Sequence, residues 1–494
     1  MNHRLSQILV TSLLLLGTLP QLANAQSSIV NSERIDELAR QLEETKAELK
    51  TTQAHLRALR EHAGTGGQHV PEPLALRPIP PMHDTSGPIG HAFAVSAQQQ
   101  EANCDSCRDC GKPVCTGLPP LCDCCKEQLS WSKGGFRLVP YGAVVGEMIG
   151  SNISPQLCGS PLFLLPGPAP GIDDSRFSAI AQQSTIGLSV TGPSLGTFQS
   201  GANVAVNFFG EQPIQNNPGL FFLVANAELR NDAWRFWIGQ DGDAIGRQNT
   251  NSPAWSSHKM QGNFGQLRPG FRVERYFQFS DNMTSSLYFG LTQQAVNDFI
   301  ADPEVAGIDN GWPNVEARWE LTLGPPSCAG QHPVLLAIGG LVGETRAVDN
   351  LALSASNVST TWAVIPELRI EGERLGFQGE AFVGQAMGTY NGAIGQSLNP
   401  INGEPIYSVG GFGELFWKMT PYFTTSVGYG IDNPRNADLG TIGGGMIGQR
   451  ARNESYWVNF IWKLSDEWET RFEVSHLETT YIAPSNCRHM ERRS

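Results

Sequence analysis

The sequence predicts an all-β protein: a transmembrane antiparallel β-barrel of about 16 strands, preceded by an N-terminal coiled-coil helix. The main observation is a repeated alternation of apolar and polar residues after residue 131. From Val315 to Leu323, for example, every second residue is apolar and those between are Glu, Arg or Thr. Strand side chains point alternately to opposite faces, so such a segment has one apolar and one ionic face. The 54 Gly and 32 Pro supply the turns between strands.

The start of the chain has the pattern of a secretory signal peptide, predicted over residues 1–25. Arg4 provides the charged start, residues 8–16 are mostly apolar, and Ala23-Asn24-Ala25 resembles a cleavage site. The apolar run is too short to span a bilayer, and we find no later run of about 18 apolar residues. A closed barrel is then the way this chain would span a membrane. The net charge of −13 argues against a nucleic-acid partner.

Residues 26–62 are predicted to form a coiled-coil helix. Ile35, Leu42, Leu49 and Leu56 are spaced seven residues apart, and the positions between them carry charges of both signs. A narrow apolar seam of this kind favours association with partner helices. The alternative is a helix that lies on its own barrel.

A Pro- and Gly-rich linker is predicted over residues 63–103, and a Cys-rich segment over residues 104–130. Disulfides are the expected state of these cysteines in an exported protein. A structural zinc site on two Cys-x-x-Cys pairs is the alternative, and an iron–sulfur site fits the spacing poorly. The disulfide candidates are Cys104, Cys107, Cys110, Cys115, Cys122, Cys124, Cys125 and Cys158.

The barrel is predicted over residues 131–484, followed by a tail at 485–494. Fifteen candidate strands can be placed, and single-chain bacterial barrels have even strand numbers, so we expect 16, with 14 and 18 as alternatives. One strand, residues 334–342, is apolar on both faces, which is typical of a strand buried between protein surfaces. In a trimer, this strand would lie near a subunit interface.

The charged residues of the alternating strands are predicted to line a water-filled pore, where charges of both signs would act on a solute. We expect the connection over residues 242–267 either to fold inward and narrow the pore or to lie outside as a solvated loop. Arginines at the constriction would attract anions. The candidate pore-lining residues are Arg235, Arg247, Arg268, Arg272, Glu274, Glu316, Arg318, Glu320 and Arg369.

Four short segments carry a resemblance to a known family: residues 185–193, 204–210, 235–240 and 262–269. They resemble segments of the DcaP-type trimeric outer-membrane porins. The resemblance covers about residues 177–278 and the overall layout. It implies a homotrimer of 16-stranded barrels with a periplasmic N-terminal coiled coil, which takes up small and often anionic solutes. The cysteine cluster and the basic tail depart from the family pattern.

No catalytic, cofactor or resident metal site is expected, because no nucleophile motif occurs and the carboxylates recur at strand period. His476 is the best candidate for a hydrolase, but a lone strand histidine is more often structural. We therefore expect an outer-membrane porin for small hydrophilic solutes, anions among them, with its N-terminal region in the periplasm. The alternative is a non-conducting structural barrel or adhesin that is tethered by its coiled coil.

Overall fold

The structure is a computed structural model of the full chain. It describes residues 40, 50, 129–155, 161–166, 174–210, 219–254, 256–293, 312–326, 331–346, 358–442, 447–465, 467–482 and 490–493. In the predicted coiled coil, the described residues Arg40 and Lys50 are helical and exposed. The predicted signal peptide, the linker and all ten cysteines lie outside the described residues.

The described chain is built almost entirely of β-strands. Their bounds are β1 (Trp131–Lys133), β2 (Phe136–Ala143), β3 (Glu147–Ser151), β4 (Arg176–Ile180), β5 (Thr185–Leu195), β6 (Phe198–Gly210), β7 (Gly219–Arg230), β8 (Trp234–Gly242), β9 (Leu267–Ser280), β10 (Met283–Thr292), β11 (Asn314–Leu323), β12 (Val334–Arg346), β13 (Val358–Glu371), β14 (Leu375–Gln385), β15 (Tyr407–Thr420), β16 (Phe423–Pro434), β17 (Thr441–Ile442), β18 (Ile447–Gly448), β19 (Arg450–Lys463), β20 (Glu469–Tyr481) and β21 (Met490–Arg493). Three short 3₁₀ turns lie at Gly388–Tyr390, Ala393–Gly395 and Asn436–Asp438. No described helix is long and apolar enough to cross a membrane.

The main sheet contains 17 strands, and each pairs antiparallel with its neighbours in chain order. The pairs β3–β4 and β17–β18 stand outside it as two small sheets. Pairing runs from β1 to β21, and the described residues contain no bridge between these two ends. The antiparallel prediction is confirmed, whereas the main sheet has 17 described strands rather than 16. Two of them, β1 and β21, have only three and four residues.

The two faces of the sheet differ as the alternation predicts. On β11, Trp319 is 41% exposed, whereas its neighbours Arg318 and Glu320 are 3% and 6% exposed. The same contrast holds on β9, where Phe271 is exposed and Arg272 is buried. Apolar side chains thus cover the outside of the sheet, and charged side chains lie on its inner face.

One predicted face is wrong on β7. In the sequence, Leu223, Ala225, Ala227 and Leu229 alternate with polar residues, which predicts that Leu223 lies on the outer face, but Leu223 and its neighbour Val224 are both only 2% exposed. The register between β6 and β7 shifts at Ala205. A bulge inserts one residue and interrupts the alternation, so both side chains become buried.

Candidate functional site

The inner face of β8 to β11 carries most of the predicted pore-lining residues, and the register places them on one side of the sheet. Arg235 of β8 pairs with Glu274 of β9, and Glu274 pairs with Tyr288 of β10, which pairs with Arg318 of β11. Seven of the nine candidates are buried there: Arg235, Arg268, Arg272, Glu274, Glu316, Arg318 and Glu320. The other two lie elsewhere: Arg369 is half-buried near the end of β13, and Arg247 belongs to the loop after β8.

Most of these charges are neutralised in pairs, whereas Arg272 donates a hydrogen bond to the carbonyl of Gly242 and lies over the Trp237 ring. The Arg235 guanidinium lies 2.6 Å from Glu228 and 3.5 Å from Glu274, and Arg247 lies 3.6 Å from Glu274. Arg318 contacts Glu320 and lies 3.0 Å from the carboxylate of Glu367 on β13. Buried charges are stable only when paired and hydrogen-bonded, so the sheet interior is ionic but locally balanced.

The same pattern continues further along the wall in a cluster of three charged side chains. Arg369 pairs with Glu371, and Lys418 of β15 contacts the same carboxylate. All three side chains are half-buried, so solvent reaches them. They lie near the short turns that end β13 and β15.

A carboxylate at the centre of this wall binds aromatic hydroxyls as well as arginine. Glu316 accepts hydrogen bonds from Thr292 at 2.7 Å, from Tyr390 at 3.0 Å and from Tyr288 at 3.3 Å. Arg268 lies 3.7 Å from Glu316 and stacks over the Tyr390 ring at 3.4 Å. The four partners hold this carboxylate in a fixed position although it is fully buried.

The connection between β8 and β9, residues 243–266, folds onto the inner face; we call it the inward loop. Its two ends are closed by a hydrogen bond of 3.0 Å from the Asp243 amide to the Gln266 carbonyl. A Cβ on Gly339 of β12 would lie 2.8 Å from the Cα of Ile245, and one on Gly262 would lie 2.8 Å from the backbone nitrogen of Ile431. The loop backbone therefore packs directly against the backbones of β12, β15 and β16, which is possible because the residues at these contacts are glycines without a side chain.

Three wall carboxylates hold the inward loop in place. Glu367 accepts from the backbone N–H of residue 247 at 3.3 Å, and Glu380 accepts from the backbone N–H of residue 264 at 2.5 Å. Glu414 accepts from both the backbone and the side-chain N–H groups of Asn251, at 2.9 Å each. Backbone amides that leave water need such acceptors, so charged wall residues position the loop.

A second loop, residues 386–406 between β14 and β15, packs beside the inward loop. The Gly265 amide donates to the Tyr390 carbonyl at 2.8 Å, and the Asn391 side chain donates to the Gly265 carbonyl at 2.7 Å. Asp432 of β16 accepts from the backbone N–H of Ile394 at 2.7 Å. The second loop thus repeats the arrangement of a loop amide bound to a wall carboxylate.

Apolar side chains fill the space between the two loops and the wall. The largest buried cluster contains Ile245, Phe264, Leu341, Ala363, Ile365, Phe382, Met387 and Tyr390. It explains why β12 is apolar on both faces: its inner Leu341 packs under the inward loop, and its outer Ile338 is 46% exposed. The protein surface that covers the inner face of β12 therefore belongs to the same chain.

The tip of the inward loop places a histidine against the last long strands. The His258 ring stacks on Trp457 of β19 with centroids 3.9 Å apart, and its Nδ1 lies 2.9 Å from Gln261. Its Nε2 lies 3.6 Å from Glu473 of β20. Burial by itself would lower the pKa of His258, but the Glu473 carboxylate beside it raises that pKa above the ordinary value.

A different part of the wall carries uncharged polar groups. Tyr141 of β2 donates a hydrogen bond of 2.5 Å to Asn203 of β6, and Ser189 of β5 faces the same side. All three are partly exposed. Small hydroxyl and amide groups therefore meet solvent on this wall.

Sequence reasoning missed the anchoring role of the wall carboxylates and the whole second loop. Glu414 and Asp432 continue the alternation of their strands, which was the available signal. Alternation identifies the inner face, but it does not indicate which inner residues meet a distant loop.

An antiparallel sheet of this size, apolar outside and ionic inside, is the architecture of outer-membrane β-barrels. The fold is similar to that of the outer membrane channel DcaP of Acinetobacter baumannii, with a TM-score of 0.54 and 14% identity over 73% of this chain and 96% of that chain. The resemblance noted from the sequence is thus confirmed at the level of the fold.

Weaker likenesses are found to two further structures. Outer-membrane OmpT of Vibrio cholerae has a TM-score of 0.44 and 9% identity, over 74% of this chain and 96% of that chain. OprB of Pseudomonas putida has a TM-score of 0.40 and 12% identity, over 69% and 89%. No family model and no curated relative matches the sequence.

Proposed function

We propose that the chain forms an outer-membrane channel through which small hydrophilic solutes diffuse. The observation that carries the proposal is the contrast between the two faces, seen at Trp319 beside Arg318 and Glu320. Exposed aliphatic and aromatic side chains across a whole sheet would aggregate in water, whereas hydrocarbon solvates them. Ionic groups on the opposite face fit a lumen that contains water.

The distribution of aromatic residues supports a membrane position and an orientation. Trp234, Trp417 and Trp462 are exposed near strand ends that meet the short turns. Tryptophan prefers the interface between hydrocarbon and water. Short turns face the periplasm in such barrels, so the inward loop enters the lumen from the outer side.

The proposed solute path runs along the wall of β2, β5 and β6, because the two loops cover much of the wall from β12 to β16. Tyr141, Ser189 and Asn203 would contact the solute there through hydroxyl and amide groups. Such groups exchange hydrogen bonds with water and with hydrophilic solutes at little net cost. Selection by size and polarity follows from this arrangement.

The expected preference for anions enters the proposal in a weaker form. Arg235, Arg247 and Arg318 each have a carboxylate partner within 3.6 Å. A neutralised arginine attracts a distant anion far less than a free one. We therefore propose weak charge selectivity, with anion preference arising only if these pairs open.

Conductance in planar bilayers under a salt gradient tests both the proposed channel and its weak charge selectivity. We expect discrete channels with a reversal potential near zero, and little change when Arg235→Gln is introduced together with Glu228→Gln. A strong anion-selective potential that these neutral substitutions abolish would restore the anion hypothesis. Absence of any conductance from a folded, detergent-extracted protein would refute the channel.

The alternative of a non-conducting barrel has one observation in its favour. The apolar cluster around Phe264 and Ile365 fills part of the space inside the sheet. In that case the wild-type protein would be silent in bilayers and would still migrate as a heat-modifiable band on mild SDS gels. This combination separates a plugged barrel from a soluble β-protein, which would need no detergent.

A homotrimer in outer-membrane lipid, with the coiled coil of residues 26–62 in the periplasm, completes the proposal. Its support is the heptad spacing of the sequence and the likeness in fold to DcaP. Mass measurement of the detergent complex tests the assembly, and mass spectrometry without reduction tests the disulfides of the cysteine cluster. A monomer would refute the assembly, and ten free or zinc-bound thiols would refute the disulfides.

A further inference from the structure

Two sheet edges remain without a described partner strand, and they belong to the two ends of the barrel sequence. On β2, residues 139–143 pair with β5 on one side, and β1 covers only residues 136–138 on the other. On β20, residues 469–476 pair with β19 on one side, and β21 covers only residues 478–481 on the other. An open edge inside a membrane is costly, because its N–H and C=O groups have no water there.

The directions of the strands determine what can fill this gap. Between β2 and β20, inclusive, the main sheet contains 15 strands, all antiparallel to their neighbours. The first and the last of these strands therefore run in the same direction. An antiparallel barrel closes only with an even number of strands, so one more strand must lie between β20 and β2.

β1 and β21 both have the required direction, and they lie at opposite ends of the gap. β1 is antiparallel to β2 and pairs near the short turn after β5, since Arg137 is opposite Thr191. β21 is antiparallel to β20 and pairs at its far end, where Tyr481 is opposite Met490. The two short strands thus run in the same direction, one at the short-turn end and one at the long-loop end.

We propose that β1 and β21 together form the sixteenth strand, as two collinear halves that close the barrel. In this arrangement β1 pairs with the free edge of β20 as well as with β2, and β21 pairs with the free edge of β2 as well as with β20. The inference rests on the barrel of the proposed function. It assigns a role to the tail, which departs from the pattern of the resembling family.

The outer faces of β1 and β20 match at the proposed junction, which we call the seam. Trp131 is opposite Leu138, and Phe472 is opposite Phe460, so both lie on the outer face. Trp131 and Phe472 are more than half exposed. Placing β1 against β20 would continue the apolar outer surface from Phe472 to Trp131 without a polar interruption.

Pairs of adjacent proline substitutions distinguish a strand with two neighbours from an edge strand. Backbone N–H groups point alternately to the two sides of a strand, and proline removes one of them. Glu491→Pro and Arg492→Pro should both lower the temperature at which the folded band converts on SDS gels. The same should hold for Ser132→Pro and Lys133→Pro. Alanine at each position keeps the N–H and serves as the control.

If only one proline of each pair has an effect, the strand is an edge and the proposal is refuted. If neither has an effect, the strand does not contribute to closure, which also refutes it. A wild-type chain without heat-modifiable migration would refute the barrel and the seam together. By contrast, a heat-modifiable chain that passes the proline test but does not conduct would refute only the channel function.

A cross-link measures the contact itself. Trp131→p-benzoylphenylalanine, activated by light in detergent, should link to the peptide of residues 469–476 within one chain. The same replacement at Trp319, on the outer face of β11, is the control and should not give this link. A link found only between two chains would assign the seam to a second copy, and no link from position 131 would leave the edges unjoined; either result overturns the proposal.

Discussion

Gly339→Ala should push the inward loop away from the wall of β12 and narrow the proposed solute path, because the added methyl group has no space between the strand and the loop. A Cβ at this position lies 2.8 Å from the Cα of Ile245 and 2.9 Å from its carbonyl carbon. Carbon atoms in contact prefer about 3.5–4.0 Å, so the loop backbone must retreat by roughly 1 Å. Overpacking of this kind typically costs about 1–3 kcal/mol.

Gly340→Ala is a matched control one residue away. The Cβ there would point to the other face of the sheet, and its nearest atom is the carbonyl oxygen of residue 363 at 3.2 Å. Both substitutions change glycine to alanine in the same strand, so their effects on strand propensity are alike. Only Gly339→Ala meets the inward loop.

Single-channel recording in planar bilayers is the assay, combined with thermal conversion on SDS gels. We expect Gly339→Ala to lower conductance or increase its fluctuations and to lower the conversion temperature, while Gly340→Ala leaves both close to wild type. Equal behaviour of the two variants would refute the view that the inward loop rests on this wall. A wild-type conductance in Gly339→Ala would show that the loop does not limit the pore.

Three further predictions concern buried charges. The pKa of His258 is raised, so its contribution to stability is complete below about pH 6.5 and is lost as the pH rises through the higher pKa of the folded state. The conversion temperature of the wild type should therefore fall as the pH rises, and that of His258→Gln should depend less on pH. Arg318→Gln leaves the carboxylate of Glu367 buried without its partner and should cost about 3–5 kcal/mol in denaturant titrations, whereas Arg471→Gln removes an exposed pair and should cost less than about 1 kcal/mol. Glu414→Leu removes an acceptor of hydrogen bonds from five side chains and should destabilise the folded barrel. A conversion temperature like that of wild type would contradict its role as an anchor.

Features that depend on neighbours in the chain could be predicted from the sequence. The burial of Arg318 and the exposure of Trp319 follow from strand alternation, which is a local property of the backbone. The antiparallel order follows from short connections between successive strands. The failure at Leu223 also has a local cause, because a bulge changes the face without changing the composition.

Features that depend on distant contacts could not be predicted in the same way. In the sequence, Gly339 is an ordinary strand glycine. Its importance is visible only in the fold, where the backbone of Ile245, 94 positions earlier in the sequence, packs against it. The two apolar faces of β12 predict a strand between protein surfaces, but nothing in its own residues identifies the loop that covers its inner face. The carboxylate of Glu414 likewise has the pattern of a lumen charge, although loop amides occupy it.

Because loop amides bind Glu367, Glu380 and Glu414, the width of the channel and the charge of its wall cannot be changed independently. An engineer who reverses one of these charges to retune ion preference would release a segment of backbone at the same time. The resulting channel would differ from wild type in its width as well as in its electrostatic field. Ser189 of β5 and Asn203 of β6 lie on other strands than these three anchoring carboxylates and offer safer positions for redesign.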